Sequence, residues 1–467
     1  MILRPYQAEG VAAIREAFRA HKAVIYQAPT GSGKTTIFVY IADGAVQKGK
    51  RVWILAHRQE LIVQISRALD DQQVPHGIAA AGFPALPIMP VQVCSVMSLT
   101  RRHAKLPPPD LIVIDEAHHS PAGSWRAILD AYPSARILGV TATPLRLDGK
   151  GLGVSNGGHF QALISGPSVA SLIAAGFLAK PSIYVPPSSL DLSGVKTQAG
   201  DYVKGALEEV VDKPIITGSA VEHYLKLCPR APAIAFCAGI EHAEHVTEQF
   251  RAAGISWGLL VGAPAMSDAE RKAAVRNLRG FIWRGVSTVD LVSEGFDVPI
   301  VEAAILLRPT QSLGLYLQQV GRVLRPSPGK ERAIILDHVG NVERHLPPQV
   351  EREWTLDGLK PSAAATEEAT QQYRQCPACY LYHEWAATCP SCGHVYAAKP
   401  RAPLAQRDGE LKELTPEEIE RMRISKQRRI EEGRAQTLKE LKALGNARGY
   451  KSGWAQHRWE ARQRRFG

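Results

Sequence analysis

The sequence is poor in cysteine and has no long apolar segment. Its 467 residues include seven cysteines, too few for a scaffold held together by disulfides. No run of about 18 apolar residues occurs, so we expect no transmembrane helix and no membrane partner. The first residues show no basic stretch followed by an apolar one, which argues against secretion and favours the cytoplasm.

The composition is that of a globular protein with a basic excess. Apolar residues make up 45% and charged residues 22%, and the length suggests about three domain-sized units. The formal net charge is +11. A basic surface favours a polyanion such as nucleic acid, although solubility alone would also account for it.

A glycine-rich loop lies near the start of the chain, where residues 27–36 read Gln-Ala-Pro-Thr-Gly-Ser-Gly-Lys-Thr-Thr between two apolar runs. Strand, loop and helix in this order predict a phosphate-binding loop, although Ala28 replaces the usual first glycine. Lys34 can reach the β- and γ-phosphates of a nucleotide, and the Thr35 hydroxyl can bind Mg²⁺. The residues predicted to contact the nucleotide here are Thr30, Gly31, Ser32, Gly33, Lys34, Thr35 and Thr36.

Tyr6 and Gln7 precede this loop at the start of a helical pattern that runs to about Ala20. They could simply begin the helix. Their position ahead of a phosphate loop instead suggests a lid over the nucleotide base.

An acidic pair follows a second buried strand. Residues 111–114 are all apolar, and Asp115 and Glu116 come directly after them. Asp115 can hold Mg²⁺ opposite Thr35, and Glu116 can accept a proton from the water that attacks the γ-phosphate. An acidic pair in this position is often only a solvated loop, but the preceding phosphate loop favours the catalytic interpretation.

Polar residues also end three other predicted strands of this half: His57 with Arg58, Ser95, and Thr141 with Thr143. The carboxyl ends of parallel strands form the ligand edge of an open α/β sheet. These five residues are therefore predicted contacts to a nucleic-acid backbone, with ordinary strand-end caps as the alternative for the first three. The two threonine hydroxyls could also bridge the catalytic carboxylates to a neighbouring domain.

The second half alternates strand-like and helical patterns, which predicts another parallel sheet with crossover helices. Strands are expected at 233–237, 256–261, 286–291, 303–307 and 333–337, with helices at 240–253 and 268–278. The stretch 145–232 is expected to be helical and irregular and to carry the crossing between domains.

Three motifs together resemble superfamily 2 helicases of the DEAD/DEAH-box type: residues 28–35, 115–118 and 141–144. The resemblance covers about residues 1–345 and implies two RecA-like domains with ATP in the cleft between them. Residues 293–299 and 318–325 match the fifth and sixth motifs of that family.

These two motifs imply further site residues. Gly295, Asp297 and Gln318 would line the nucleotide site, although many relatives have histidine where this chain has Gln318. Arg322 and Arg325 lie three apart, near one face of a helix, and would act as arginine fingers.

The tail carries two Cys-x-x-Cys pairs, formed by Cys376, Cys379, Cys389 and Cys392. Four thiolates at this spacing favour a tetrahedral, structural Zn²⁺ site; a redox pair would need a helix or βαβ context that is not evident. The last residues are basic and helix-prone, with Trp454 and Trp459 interleaved. That pattern suits single-stranded nucleic acid, and equally a helix that packs Trp454 on its own domain.

The two helicase-like domains, the segment after them, the four-cysteine segment and the Gly-Tyr-Lys-x-Gly-Trp sequence at 449–454 together resemble the RadD-type helicases of bacteria and their phages. This resemblance implies a role in DNA repair or replication-fork processing. The predicted fold is α/β, with two RecA-like parallel-sheet domains followed by a zinc ribbon and a basic helical tail. The predicted bounds are 1–165 and 166–345 for the two motor domains, 346–370 for a linker, 371–398 for the ribbon and 399–467 for a nucleic-acid-binding tail.

We therefore expect an ATP-dependent DNA helicase or translocase that uses ATP, Mg²⁺ and Zn²⁺ on single-stranded or branched DNA, with single-strand-binding or other repair proteins as candidate partners. An RNA helicase is the first alternative. A motor subunit of a restriction or defence complex is the second, and because no nuclease constellation is evident, cutting would need a partner. The third is an ATP-gated adaptor without turnover, against which the intact Glu116, Arg322 and Arg325 argue.

Overall fold

The computed structural model describes residues 2–84, 86–146, 149–185, 195–198, 201–212, 214–289, 298–358, 372–396, 415–435, 437–451 and 453–466. The chain divides into two compact units, Met1–Tyr396 and Ala397–Gly467. No helix among the described residues is both long and apolar enough to cross a membrane.

The first part of the larger unit is a seven-stranded sheet with flanking helices. The strands are β1 (Ala23–Gln27), β2 (Val52–Ala56), β3 (His76–Ala79), β4 (Val91–Ser95), β5 (Leu111–Asp115), β6 (Arg136–Thr141) and β7 (Ala162–Ser165). All pairs are parallel, and the order is β3-β4-β2-β5-β6-β1-β7. The helices are α1 (Pro5–Ala20), α2 (Lys34–Val46), α3 (Gln59–Asp70), α4 (Val96–Arg102) and α5 (Gly123–Ala131).

The central strands are buried along their whole length because helices cover both faces of the sheet. Side chains alternate between the two faces. Val24 and Tyr26 of β1 therefore pack in one core with Phe38 of α2. Ile25, between them, packs in the opposite core with Trp125 of α5.

The second part of this unit holds the remaining strands. They are β8 (Lys180–Tyr184), β9 (Thr197–Gln198), β10 (Asp201–Tyr202), β11 (Ala233–Phe236), β12 (Trp257–Leu260), β13 (Gly285–Thr288), β14 (Ala303–Leu306), β15 (Arg332–Asp337), β16 (Tyr373–Gln375) and β17 (Leu381–Glu384). Eight of them form one sheet in the order β12-β13-β11-β14-β15-β8-β17-β16, and β9 and β10 pair separately. The helices are α6 (Val169–Ala174), α7 (Lys204–Val211), α8 (Pro214–Leu227), α9 (Ile240–Ala252), α10 (Asp268–Arg279), α11 (Leu313–Val323) and α12 (Asn341–His345).

The expected α/β fold with two parallel sheets in tandem is confirmed, and all five strands predicted for the second half are present. The stretch 145–232 departs from its prediction. It contains β7, at the edge of the first sheet, and β8, inside the second. Both are short strands of four and five residues with only partly buried patterns, so their sequence carries little strand signal.

The cysteine ribbon continues the second sheet. Its strand β17 pairs antiparallel with β8, and Val185 N donates a hydrogen bond to Tyr380 O at 3.0 Å. The sequence did not predict this attachment, because the pairing joins segments that are far apart in the chain.

The predicted linker is described over residues 346–358. Arg352 donates hydrogen bonds to nearby carbonyls, among them Val350 O at 2.7 Å and His345 O at 2.9 Å. Leu356 O accepts from Gly153 N at 2.9 Å. This segment is therefore packed against residues that follow the first sheet's β6.

The part of the smaller unit that the structure describes, residues 415–466 with two short gaps, is helical as predicted, with α13 (Pro416–Arg434), α14 (Leu438–Ala447) and α15 (Trp454–Phe466). A capping box between Thr437 and Glu440 begins α14. Trp454 contacts Tyr450, with 4.7 Å between ring centroids, and packs against Gly445. For Trp454 the structure therefore favours packing within its own unit.

Candidate nucleotide site and nucleic-acid face

The phosphate loop joins β1 to α2 in a conformation that only glycine adopts easily. Gly31 and Gly33 have φ values of 87° and 80°. A Cβ added to Gly33 would lie 2.5 Å from Gln7 Nε2, so the position also lacks room for a side chain. The loop is thus curled, and α2 begins at Lys34 directly after it.

Lys34 lies at the centre of a group of charges. Its Nζ donates hydrogen bonds to two loop carbonyls, Ala28 O at 3.1 Å and Pro29 O at 3.3 Å. Burial lowers the pKa of Lys34, the carboxylates of Glu116 and Asp115 act to raise it, and the guanidiniums of Arg325 and Arg322 lower it further. Two arginines and two carboxylates therefore act on Lys34, and an added anion would stabilise its ammonium against burial and the neighbouring guanidiniums.

The acidic pair occupies the end of β5. Asp115 is buried, and its Oδ1 accepts a hydrogen bond from Glu116 N at 3.0 Å. Glu116 has a φ of 50°, a left-handed conformation that is uncommon outside glycine and often found at functional sites. Among the described residues, no group donates a hydrogen bond to the buried Glu116 Oε2, and His118 Nδ1 lies 3.4 Å from it, within ion-pair distance.

The arginine-bearing helix α11 packs directly on the phosphate loop. A Cβ added to Gly321 would lie 2.6 Å from Thr30 Cβ, and one added to Gly31 would lie 3.3 Å from Arg325 Cγ. Arg322 is buried, as is Gln318 one turn earlier. The arrangement brings both predicted arginines to the phosphate loop, but α11 ends at Val323, so Arg325 lies just beyond the helix and does not share a helical face with Arg322 as predicted.

Thr141 and Thr143 link the acidic pair to α11. Thr141 Oγ1 lies 3.1 Å from His118 Nδ1 and accepts a hydrogen bond from Thr143 N at 3.2 Å. A Cβ added to Gly314 of α11 would lie 3.1 Å from Thr143 Oγ1. Both threonines are buried, at 0% and 1% exposure, so their placement favours the bridging role over the direct nucleic-acid contact that was also predicted.

Tyr6 and Gln7 contact the phosphate loop. Tyr6 Oη and Gln7 Nε2 donate hydrogen bonds to the same acceptor, Ser32 O, at 2.8 and 3.2 Å. Two of their neighbours, Arg4 and Phe177, were not predicted from the sequence. The Arg4 guanidinium lies 4.8 Å from the centroid of the Phe177 ring, and Tyr6 meets that ring edge-on at 5.1 Å. Phe177 follows no motif and is distant in sequence, so only the fold reveals it.

His57, Arg58 and Ser95 lie at the carboxyl ends of the neighbouring strands β2 and β4, as predicted. His57 contacts His119 with 4.4 Å between ring centroids, and His119 contacts His118 at 4.2 Å. His118 Nδ1 in turn lies 3.4 Å from Glu116 Oε2. A row of imidazoles therefore runs from this strand end to the acidic pair, and His119 was not predicted.

Gly295 and Asp297, implied by the fifth motif, lie outside the described residues. Their predicted contacts to the nucleotide stay predictions.

The four tail cysteines converge, with all four Sγ atoms within 4.8 Å of one another. Cys376 Sγ lies 3.5 Å from Cys392 Sγ, and Cys379 Sγ lies 3.7 Å from Cys389 Sγ. A tetrahedral site with Zn–S bonds of about 2.3 Å requires sulfur atoms about 3.8 Å apart. The cluster could therefore form a zinc ribbon.

Family models match both halves of the motor. Residues 1–146 match the model described as type III restriction enzyme, res subunit, and residues 219–327 match the helicase conserved C-terminal domain.

Individual proteins match over most of the chain. A 51.5 kDa protein of a Lactococcus phage (isolate 7-9) is 32% identical over 399 residues, 84% of this chain and 82% of that protein. A protein of Schizosaccharomyces pombe named as a candidate mitochondrial ATP-dependent helicase, irc3, is 29% identical over 77% of this chain but only 60% of its own length.

The solved structures that are similar share the fold at low identity. A fragment of a candidate HsdR subunit of a type I restriction enzyme from Vibrio vulnificus has a TM-score of 0.57 at 20% identity, covering 75% of this chain and 68% of that one. The ATP-dependent type ISP restriction-modification enzyme LlaBIII, bound to DNA, has a TM-score of 0.54 at 18% identity, over 73% of this chain and 28% of LlaBIII.

The two family models match both motor halves in the expected order, and residues of the sixth motif meet the phosphate loop of the first half. The chain belongs to the superfamily 2 DEAD/DEAH-like helicases and is an ATP-hydrolysing enzyme of that type.

Proposed function

We propose that this protein is an ATP-driven DNA helicase or translocase that acts on single-stranded or branched DNA in repair, recombination or replication-fork processing. The packing of α11 on the phosphate loop carries the proposal, since it brings Arg322 and Arg325 into the electrostatic surroundings of Lys34. The basic net charge of +11 and the resemblance to RadD-type helicases support DNA as the substrate.

Each residue at the cleft has a part in the proposed cycle. Lys34 and the loop amides would hold the phosphates, while Thr35 and Asp115 would hold Mg²⁺, which would neutralise phosphate charge. Glu116 orients the attacking water and accepts its proton. Arg322 and Arg325 stabilise the negative charge that develops on the transferred phosphoryl group.

The DNA strand would follow the carboxyl ends of the β-strands in both sheets. His57, Arg58 and Ser95 lie at these ends in the first sheet. Loss of the γ-phosphate removes contacts that hold α11 to the loop, so the two parts open and the grip on the strand shifts. We take residues 1–165 and 166–345 as the two motor domains, because β7 belongs to the first sheet and ends at Ser165.

The four cysteines are proposed to hold one structural Zn²⁺, because four thiolates leave no open position for catalysis. The basic helical tail is proposed to add affinity for DNA. Thiolate ligands of this kind persist in a reducing compartment, which supports the cytoplasm as the location.

The test compares ATP hydrolysis with single-stranded DNA, duplex DNA, forked DNA and RNA as stimulants, followed by strand displacement on the best of them. We expect DNA to stimulate more than RNA, with an affinity that falls as salt rises. Lys34→Ala serves as the control for contaminating activity. Greater stimulation by RNA would favour an RNA helicase, and ATP binding without turnover would favour the adaptor.

A duplex translocase of the restriction type is the second candidate, favoured by the res-subunit match over residues 1–146. A triplex-displacement assay distinguishes the two. Removal of the third strand from intact duplex, without separation of the duplex strands, would indicate this candidate. Strand separation on forked DNA would indicate a helicase.

A further inference from the structure

Three consecutive residues between α6 and β8 contact three different parts of the ATP cleft. The Phe177 ring lies against Arg4 and Tyr6. Leu178 Cδ2 lies 3.0 Å from the position of a Cβ on Gly31, in the phosphate loop. Ala179 N donates a hydrogen bond at 2.8 Å to Leu324 O, which directly precedes Arg325.

The contacts of Arg4 lead from the aromatic ring to the phosphate loop. Arg4 Nη1 donates a hydrogen bond to Tyr6 Oη at 3.2 Å, and Tyr6 Oη donates to Ser32 O at 2.8 Å. Arg4 itself is exposed, so its long side chain would sample many rotamers without a fixed partner. The face of the Phe177 ring, 4.8 Å from the guanidinium carbon, supplies that partner.

The ring is held from the second sheet's side. Phe177 packs against the core that contains Leu172, Leu178 and the strands of the second sheet. Its N donates a hydrogen bond to Leu172 O at 2.8 Å. Arg4 and Tyr6, by contrast, belong to the segment and helix that precede β1. The group around Arg4 therefore contains residues from both sides of the cleft.

We propose that Phe177 is a positioning residue for nucleobase recognition, which holds Arg4 and Tyr6 in the orientation that the base meets beside Gln7. This rests on the proposed function in one respect, the location of the base next to Tyr6 and Gln7. The ring acts through Arg4, and its aromatic face is the property that matters.

Three variants separate the aromatic face from simple packing. Phe177→Ala removes both, Phe177→Leu keeps an apolar side chain without a π face, and Phe177→Tyr keeps the face. Phe281→Ala is the matched control, because Phe281 is a phenylalanine that is 56% exposed and is absent from the cleft contacts described above.

The readouts are affinity for a fluorescent ADP analogue without nucleic acid, KM and kcat for ATP, and relative hydrolysis of ATP, GTP, CTP and UTP. We expect Phe177→Ala and Phe177→Leu to raise KM and the ADP dissociation constant about two- to fivefold, the range of a cation–π contact at an exposed site. The preference for adenine should fall with them, while kcat changes less than about threefold. Phe177→Tyr and Phe281→Ala should behave as the parent does.

Wild-type behaviour of Phe177→Leu in all three readouts would overturn the proposal, and so would an unchanged base preference in Phe177→Ala with normal folding. Arg4→Ala adds a double-mutant test: if Phe177 acts through Arg4, the double variant is no weaker than either single one. Additive losses would contradict that. Because ADP binding is measured without DNA, these outcomes are independent of whether DNA stimulates the enzyme.

Discussion

Glu116 adopts a left-handed backbone conformation directly after β5, with a φ of 50°. Its Oε2 lies 3.4 Å from His118 Nδ1, and its carboxylate acts on Lys34 more strongly than that of Asp115 does. The sequence predicts that an acidic pair lies here, since the motif is local. It does not predict the turn, which depends on how 117–119 packs.

Glu116→Gln should abolish steady-state ATP hydrolysis, with a loss of about 10²–10⁴-fold, because an amide of the same shape cannot accept the proton of the attacking water. Nucleotide affinity should stay within a few-fold, since the amide still fits the turn. Single-turnover hydrolysis and ADP-analogue binding measure the two effects. Glu9→Gln, on the exposed face of α1, is the control. Near-wild-type hydrolysis by Glu116→Gln would remove its proposed role.

Some other residues of the candidate site are predicted by the sequence, and others are not. Lys34, Thr35 and Asp115 are found from local motifs whose spacing is set by one loop or one strand end. Phe177 and His119 are found only from the fold, because their contacts join segments without a shared pattern. Thr143 was predicted with two candidate roles, and its burial favours the bridging one.

At the scale of elements, the contact between α11 and the phosphate loop is the feature on which closure depends. Gly321 lets the helix approach Thr30 more closely than any residue with a side chain could. The sixth motif predicts the helix with Arg322, and Arg325 follows just beyond its end. The close approach itself follows from packing between two parts of the unit and has no local signature.

Gly321→Ala should therefore push α11 away from the loop and lower kcat by about 10²-fold, since a displacement of about 1 Å at a reacting group has that cost. Gly123→Ala, where an added Cβ meets nothing within 4 Å, is the matched control. Steady-state kinetics and thermal unfolding of both variants give the comparison. An unchanged kcat in Gly321→Ala would contradict this prediction, because it would mean that the phosphate loop can shift to accommodate the added methyl group without loss of activity.

Two acidic residues, Glu208 of α7 and Asp212 directly after it, bind α9. Glu208 Oε1 accepts a hydrogen bond from His242 N at 3.1 Å, and Asp212 Oδ2 lies 2.7 Å from His245 Nδ1. The hydrogen bond to Asp212 raises the pKa of His245, with smaller contributions from Glu248 and Glu241. The His245 side chain is exposed, so the contribution of the pair to stability is below about 1 kcal/mol after solvent screening.

This contact should weaken as pH rises. The folded-state pKa of His245 is raised, so its stabilising contribution is complete below the unfolded value of about 6.5 and is lost as pH increases through the folded value. His245→Gln should therefore lower the unfolding temperature slightly at pH 6 and not at pH 9. Thermal unfolding of both proteins across that range tests it, and a difference that grows with pH would contradict the assignment.

At the scale of the whole larger unit, the second sheet is continuous from β12 through the cysteine ribbon. The order of motifs was enough to predict two tandem sheets, because alternating strand and helix patterns have few topologies available. The attachment of the ribbon was not predictable, since β8 and β17 pair across nearly two hundred residues (roughly the length of a domain) and neither has a distinctive pattern.

Removal of Zn²⁺ should therefore affect the second sheet beyond the ribbon, while ADP binding at the phosphate loop persists because that loop follows β1 of the first sheet. Chelation or Cys392→Ser should lower the unfolding temperature by a few degrees, measured together with zinc content. Cys228→Ala, outside the cluster, should keep its zinc. Purified wild-type protein without zinc would refute the metal site.

The pairing of β17 with β8 also prevents β8 from pairing with strands of other copies of this protein. A strand whose amides and carbonyls are left uncovered recruits strands from other molecules. If the ribbon detaches, β8 becomes such a surface in the middle of an otherwise intact enzyme. If the four cysteines hold Zn²⁺ as proposed, metal starvation would lead this protein to self-associate before its chemistry fails, and its lifetime would follow the supply of an ion that takes no part in the reaction.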